Sequence, residues 1–145
     1  MADDLSARIV ARLDKAKRKL ATATKLLEQK ELEDAAGRAY YAMYHAAYAA
    51  LLPKRANPRT HKGLATMLSM HRVKSGEISV DLYRAFVAAR DQREYGDYEV
   101  ATIIGPDLAE RTVADAAAFI DAVEALLRRE GHLRDVLDLP NLSRS

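Results

Sequence analysis

The chain has 145 residues and a formal net charge of +2; 49% of its residues are hydrophobic but only 6% are aromatic. One domain of this length can bury a sufficient core without cross-links, and the absence of cysteine excludes a disulfide framework, a thiolate zinc site and a cysteine nucleophile. No apolar run approaches the roughly 18 residues of a membrane span, and the charged opening segment does not read as a signal peptide, so the cytoplasm is the expected location.

Periodicity and punctuation divide the chain into five helical segments. The first runs from about Asp4 to Lys30, with Leu5, Ile9, Leu13, Ala16, Leu20, Ala23 and Leu27 recurring every three or four residues. Glu31 to Asp34 mark a turn, and the second helix continues to about Leu52, where Pro53 stops it and Pro58 keeps the next loop extended. Thr60 is a good N-cap for a short third helix ending near Met70. After a break at Ser75-Gly76, Ser79 caps a fourth helix through about Arg93, followed by a loop containing Gly96. Pro106 and Asp107 suit the start of the last helix, which stops at Gly131. Runs of alternating β-branched residues are absent. The expected fold is all-α, an up-and-down bundle of four to five helices over residues 1–131, with a tail over 132–145.

The charge is unevenly placed. Arg8, Arg12, Lys15, Lys17, Arg18, Lys19 and Lys25 crowd the first helix, and Lys54, Arg55, Arg59 and Lys62 crowd one loop. Such runs form either a solvated face or a surface that attracts phosphate.

The second helix is unusual. Tyr40, Tyr41, Tyr44 and Tyr48 stand among alanines, with Arg38 and His45 between them. Buried phenols need hydrogen-bond partners, so the pattern suggests a close packing seam, one that could lie between subunits. Arg38 and His45 project from one face, about 10 Å apart along the axis. Two copies crossing antiparallel near Tyr41 and Ala42 bring Arg38 of one chain to His45 of the other, so the geometry favours a homodimer with a composite site. Histidine suits proton transfer near neutrality, and the planar arginine fork suits phosphate oxygens. The pair could therefore promote attack of an RNA 2′-hydroxyl on its own phosphate without a metal. The plainer reading is a His bonded to a neighbouring Tyr and an Arg paired with a carboxylate.

The stretch Arg38-Ala-Tyr-Tyr-Ala-Met-Tyr-His-Ala-Ala resembles the second-helix motif of the small prokaryotic HEPN-domain proteins. Thr60-His61-Lys62-Gly63 is similar to that family's third-helix opening, and Arg93 with Asp97-Tyr98 to its arginine and Asp-Tyr pair. The resemblance implies a dimeric bundle. It also implies a metal-independent endoribonuclease using an arginine, four to six residues, then a histidine, which Arg38 and His45 match at the longest spacing. Many such proteins are toxins encoded with a small nucleotidyltransferase antitoxin, which in some pairs attaches AMP to a tyrosine just after the histidine; Tyr48 lies close to that place. Two departures stand out: Ala39 follows the arginine where a polar residue is common, and Tyr48 sits one residue beyond the usual modified position.

The candidate catalytic residues are thus Arg38 and His45, and the candidate substrate-binding residues are Tyr41, Tyr48, His61, Lys62 and Arg93. His61 could contact phosphate at a helix start, although capping or pinning the loop is the commoner role. Arg93, Asp97 and Tyr98 are expected to brace the loop after the fourth helix. His71 and His132 have no partner at metal-ligand spacing, and no metal or cofactor motif is visible. The alternative to an RNA-cutting enzyme is a non-catalytic interaction or nucleotide-binding module that partners a nucleotidyltransferase.

Overall fold

A computed structural model of the protein describes residues 2–98 and 104–133, with side chains for 4–94 and 104–133. The described residues are helical and contain no strand: α1 (Ala2–Glu28), α2 (Leu32–Leu51), α3 (His61–Leu68), α4 (Val80–Tyr98) and α5 (Pro106–Arg129). The expected all-α bundle is what forms.

α1 and α2 make an antiparallel hairpin closed by a tight turn. Lys30 adopts a left-handed φ of 63°. This lets Glu31 N–H donate to the Leu26 carbonyl at 2.9 Å and Lys30 N–H to the Leu27 carbonyl at 3.0 Å, the pairing that satisfies the last carbonyls of a helix. α5 ends the same way, with Gly131 at φ 83° and His132 N–H donating to the Leu127 carbonyl at 3.0 Å.

α2 is the central helix and touches all four others. Its alanines make this possible. Ala35, Ala39, Ala42, Ala46, Ala47, Ala49 and Ala50 are fully buried, and their small side chains admit close backbone approach of α1 and α5. Larger groups fill the remaining space. The Tyr40 ring stacks on Phe86 at 5.9 Å, and Phe86 stacks on Phe119 at 5.5 Å, so both phenylalanines of the chain join α2, α4 and α5.

The caps read from the sequence are present. Thr60 Oγ1 accepts from Gly63 N–H at 2.8 Å, and Ser79 Oγ accepts from Leu82 N–H at 3.1 Å. Three boundaries differ. α2 begins at Leu32 inside the expected turn, because Glu33 and Asp34 favour the positive end of the helix dipole. α3 runs on into a wider π-turn over Ser69–Val73. α4 continues through Gly96 to Tyr98, replacing the expected loop, since a single glycine costs about 1 kcal/mol against alanine and does not stop a helix by itself. Of the expected tail, only His132 and Leu133 lie within the described residues, and Leu133 packs against the core.

The π-turn turns Arg72 fully inward. Arg72 Nε donates to the Ala50 carbonyl at 2.9 Å, Nη1 and Nη2 donate to Glu130 at 2.6 and 2.9 Å, and Nη1 also pairs with Glu77. One guanidinium thereby ties the end of α2, the turn after α3 and the end of α5. Both carboxyls are held below their usual range: in Glu130 the Arg72 bond is the largest influence, and in Glu77 burial, the largest influence, pushes up but is outweighed by Arg72, Ser75 and Lys54 together.

Candidate functional site

From Ala35 to Leu51, α2 is buried except at Gly37, Arg38, Tyr41, Tyr44 and Tyr48, with His45 at 8% exposure on the same side. These positions recur every three or four residues, so they form one stripe that the described helices leave partly uncovered. The sequence grouped four tyrosines, and the fold separates them. Tyr40 belongs to the core, while Tyr41, Tyr44 and Tyr48 lie along the stripe.

α1 supplies one bank of this stripe. Arg8, Arg12, Lys15 and Lys19 follow one another at helical spacing, and Arg8, Arg12 and Lys15 border a cavity that also includes Tyr48. The Arg12 guanidinium lies 4.0 Å from the Tyr48 ring centroid, and its Nη1 is 2.9 Å from His45 Nδ1. The remaining cations of α1 divide differently: Lys17 pairs with Glu124 of α5 at 2.8 Å, and Arg18 pairs with Asp14 at 3.1 Å. Of the basic run, Arg8, Arg12, Lys15 and Lys19 therefore face the stripe, while Lys17 and Arg18 are taken up by carboxylates.

The opposite bank comes from α3 and α4. Arg93 lies 4.2 Å over the Tyr41 ring, and both border a cavity of about 330 Å³ that includes Arg38, Gln92 and the acidic pair Glu33 and Asp34. His61 opens α3, and the Tyr40 hydroxyl meets its Nδ1 at 2.5 Å. Burial raises the Tyr40 phenol well above its ordinary range, so the hydroxyl stays protonated in this contact. The His61 ring also sits 4.8 Å from that of Tyr44. At this position His61 pins the start of α3 to α2.

Both imidazoles are held neutral. Burial, then the charges of Arg12, Lys15 and Lys19, lower His45 to about 4. Burial is also the main cause lowering His61, followed by Arg93, with Glu94 opposing and Arg90 reinforcing. Beside burial, the nearby arginine and lysine charges oppose protonation of both rings, and such charges attract an anionic ligand.

Of the expected site residues, the stripe brings together Tyr41, His45 and Tyr48, with Arg38 exposed at one end and Arg93 and His61 on one bank. Arg38 makes no ion pair among the described residues, and Lys62 is exposed beside His61. Tyr48 donates its hydroxyl to Asn57 Oδ1 at 3.0 Å. The bracing cluster expected of Arg93 with Asp97 and Tyr98 falls on side chains outside the described residues. Arg12 is the site residue that sequence reasoning passed over. It stood undistinguished in a basic run, although the spacing of Arg8, Arg12, Lys15 and Lys19 could have placed it on one face.

Among the described residues the fold is thus an all-α bundle of five α-helices around α2, and the sequence shows which class it belongs to. The chain belongs to the HEPN family, whose domain model matches residues 9–126. It is 32% identical over 125 residues to a candidate toxin of Methanocaldococcus jannaschii, covering 86% of this chain and 92% of that one. A second candidate toxin from the same organism is 27% identical over 115 residues, 79% of this chain and 78% of that protein. A UPF0332 protein of Archaeoglobus fulgidus is 34% identical over 109 residues, 75% and 86% of the two chains. No helix among the described residues is long and apolar enough to cross a membrane.

Proposed function

We propose that this HEPN protein is a cytoplasmic toxin acting as a metal-independent endoribonuclease, with a composite site shared between two copies of the chain. The observation that carries this reading is the stripe of α2 that holds Arg38 and His45, with the α1 cations Arg12, Lys15 and Lys19 on one side and Arg93 on the other. Relatives named as candidate toxins support the toxin role.

Arg38 and His45 lie about two helical turns apart, too far for one phosphate to meet both without strain. A second α2 crossing antiparallel near Tyr41 and Ala42 removes that gap. At such a site Arg38 holds the non-bridging phosphate oxygens with its planar fork. His45 receives the proton of the 2′-hydroxyl as that oxygen attacks phosphorus, and the P–O5′ bond breaks to leave a 2′,3′-cyclic phosphate. The departing 5′-oxygen takes a proton from water, and His45 returns its own to the hydroxide left behind. Tyr41, Tyr48 and Arg93 offer flat faces for unstacked bases, and His61 and Lys62 supply donors to the flanking phosphates.

A small nucleotidyltransferase is the proposed antitoxin, and Tyr48, on the edge of the stripe, is the hydroxyl it would modify. The occupied Nδ1 of His45 favours a second reading, a non-catalytic module that binds this transferase. RNA cleavage in EDTA, parent against His45→Ala, separates the two. Cleavage by the parent that is lost in the variant supports the enzyme. A parent that cuts nothing yet co-purifies with the transferase supports the module, and cleavage that survives His45→Ala refutes the mechanism.

A further inference from the structure

His45 is poorly disposed to accept a proton as it stands. A guanidinium has no lone pair to give, so in the 2.9 Å contact Arg12 must be the donor and His45 Nδ1 the acceptor. The ring then carries its proton on Nε2, and the lone pair that could take another is already engaged. Arg12 itself makes no ion pair with a carboxylate among the described residues. It rests on one neutral imidazole and on the Tyr48 ring at 4.0 Å. Its neighbours on α1 differ, since Lys17 and Arg18 have carboxylate partners. Arg12 is a fork without an anion, on the bank of an open groove.

We propose that Arg12 is a phosphodiester-binding residue that keeps His45 Nδ1 closed in the free protein and opens it when a nucleic-acid phosphate takes the guanidinium. The inference rests on the reading of His45 as the proton carrier, and it adds a binding residue and an order of events. The imidazole is a neutral acceptor of one bond, whereas a phosphate is an anion that can take the fork through two parallel bonds, so a phosphate within reach outcompetes the imidazole. The groups acting on the ring are Arg12, Lys15 and Lys19 from α1, and the Tyr44 ring meets it edge-on at 5.3 Å from α2. No carboxylate is among them. An arriving phosphate would be the first anion beside His45. It withdraws a donor from Nδ1 and sets an attracting charge against the repelling ones, and both changes raise the proton affinity of the ring.

The test is NMR titration of the His45 imidazole in the full chain, with and without an oligodeoxynucleotide, which has phosphodiesters but no 2′-hydroxyl and is not cut. In the free protein the ring is expected to titrate near 4, and bound oligodeoxynucleotide should raise that by about one unit or more. Arg12→Gln should raise it without ligand and weaken oligonucleotide binding at least about fivefold. Arg18→Gln, which removes a cation bonded only to Asp14, should change neither. A His45 titration indifferent to the oligonucleotide, or Arg12→Gln binding as tightly as the parent, overturns the proposal. Its failure is distinct from that of the enzyme reading: His45-dependent cleavage with an unmoved titration sinks the Arg12 role alone. Shifts as expected in a protein that cuts no RNA leave Arg12 a phosphate-binding residue and sink the enzyme.

Discussion

Replacing Arg72 with methionine tests what holds the bundle's far end together. The side chain has no exposed surface, and its guanidinium makes four hydrogen bonds, one to the Ala50 carbonyl and three to Glu77 and Glu130. Methionine keeps most of the aliphatic volume, so the loss is chiefly polar. Breaking a buried ion pair by removing one partner costs about 3–5 kcal/mol. The lower end applies here, because Glu77 and Glu130 remain 28% and 29% exposed and recover water once freed. The Ala50 carbonyl does not, and an unsatisfied buried acceptor accounts for roughly 1–3 kcal/mol of the total. With a urea slope of about 1.5 kcal/mol/M, a loss of about 3 kcal/mol lowers the denaturation midpoint by roughly 2 M. The assay is urea unfolding followed by far-UV circular dichroism, for the parent and Arg72→Met, each with and without Glu130→Gln. The effect of the arginine should shrink when Glu130 is already neutral. A midpoint shift under about 0.5 M, or an equal shift in both backgrounds, refutes the account of Arg72 as a joint.

Other outcomes follow from single residues. His45 has a folded-state pKa near 4, against about 6.5 when unfolded, so between those values the unfolded chain binds more protons. Stability should therefore fall by up to about 3 kcal/mol as pH drops from 6.5 to 4. His61, also lowered, adds to the loss. In His45→Gln the slope over that window should be shallower, and an unchanged slope contradicts the assignment. Lys30→Gly relieves a left-handed backbone at φ 63° and should stabilise the fold by about 0.5–1 kcal/mol, raising Tm by roughly 1–4 °C. Calorimetry showing a lower Tm refutes this. Thr60→Ala removes the cap on Gly63 N–H and should cost about 1 kcal/mol in the same measurement; no change would show that the cap contributes nothing.

The bundle was legible because its signals are local. Leu5 to Leu27 write a helical stripe, Thr60, Ser79 and Pro106 mark starts, and Gly131 marks a stop. Where neighbours decide, the local signal failed. Gly96 reads as a breaker, yet the flanking residues carry α4 through it. Nothing local marks Arg72 for burial, which depends on Glu130, far along the chain. The stripe on α2 was half legible. The spacing of Arg38 and His45 is a property of one helix, whereas the inward place of Tyr40 follows from contacts with Phe86 and His61. The meeting of Arg12 with His45 follows from how α1 crosses α2, which no short window of sequence contains.

A composite site makes a quantitative demand that a site within one chain does not. Arg38→Ala and His45→Ala should each be inactive on RNA in EDTA when assayed alone. Mixed in equal amounts and allowed to exchange, they should regain about one quarter of the parent's activity, because about half the dimers are mixed and each mixed dimer holds one intact site. No recovery on mixing, in dimers shown to have exchanged, would contradict the account.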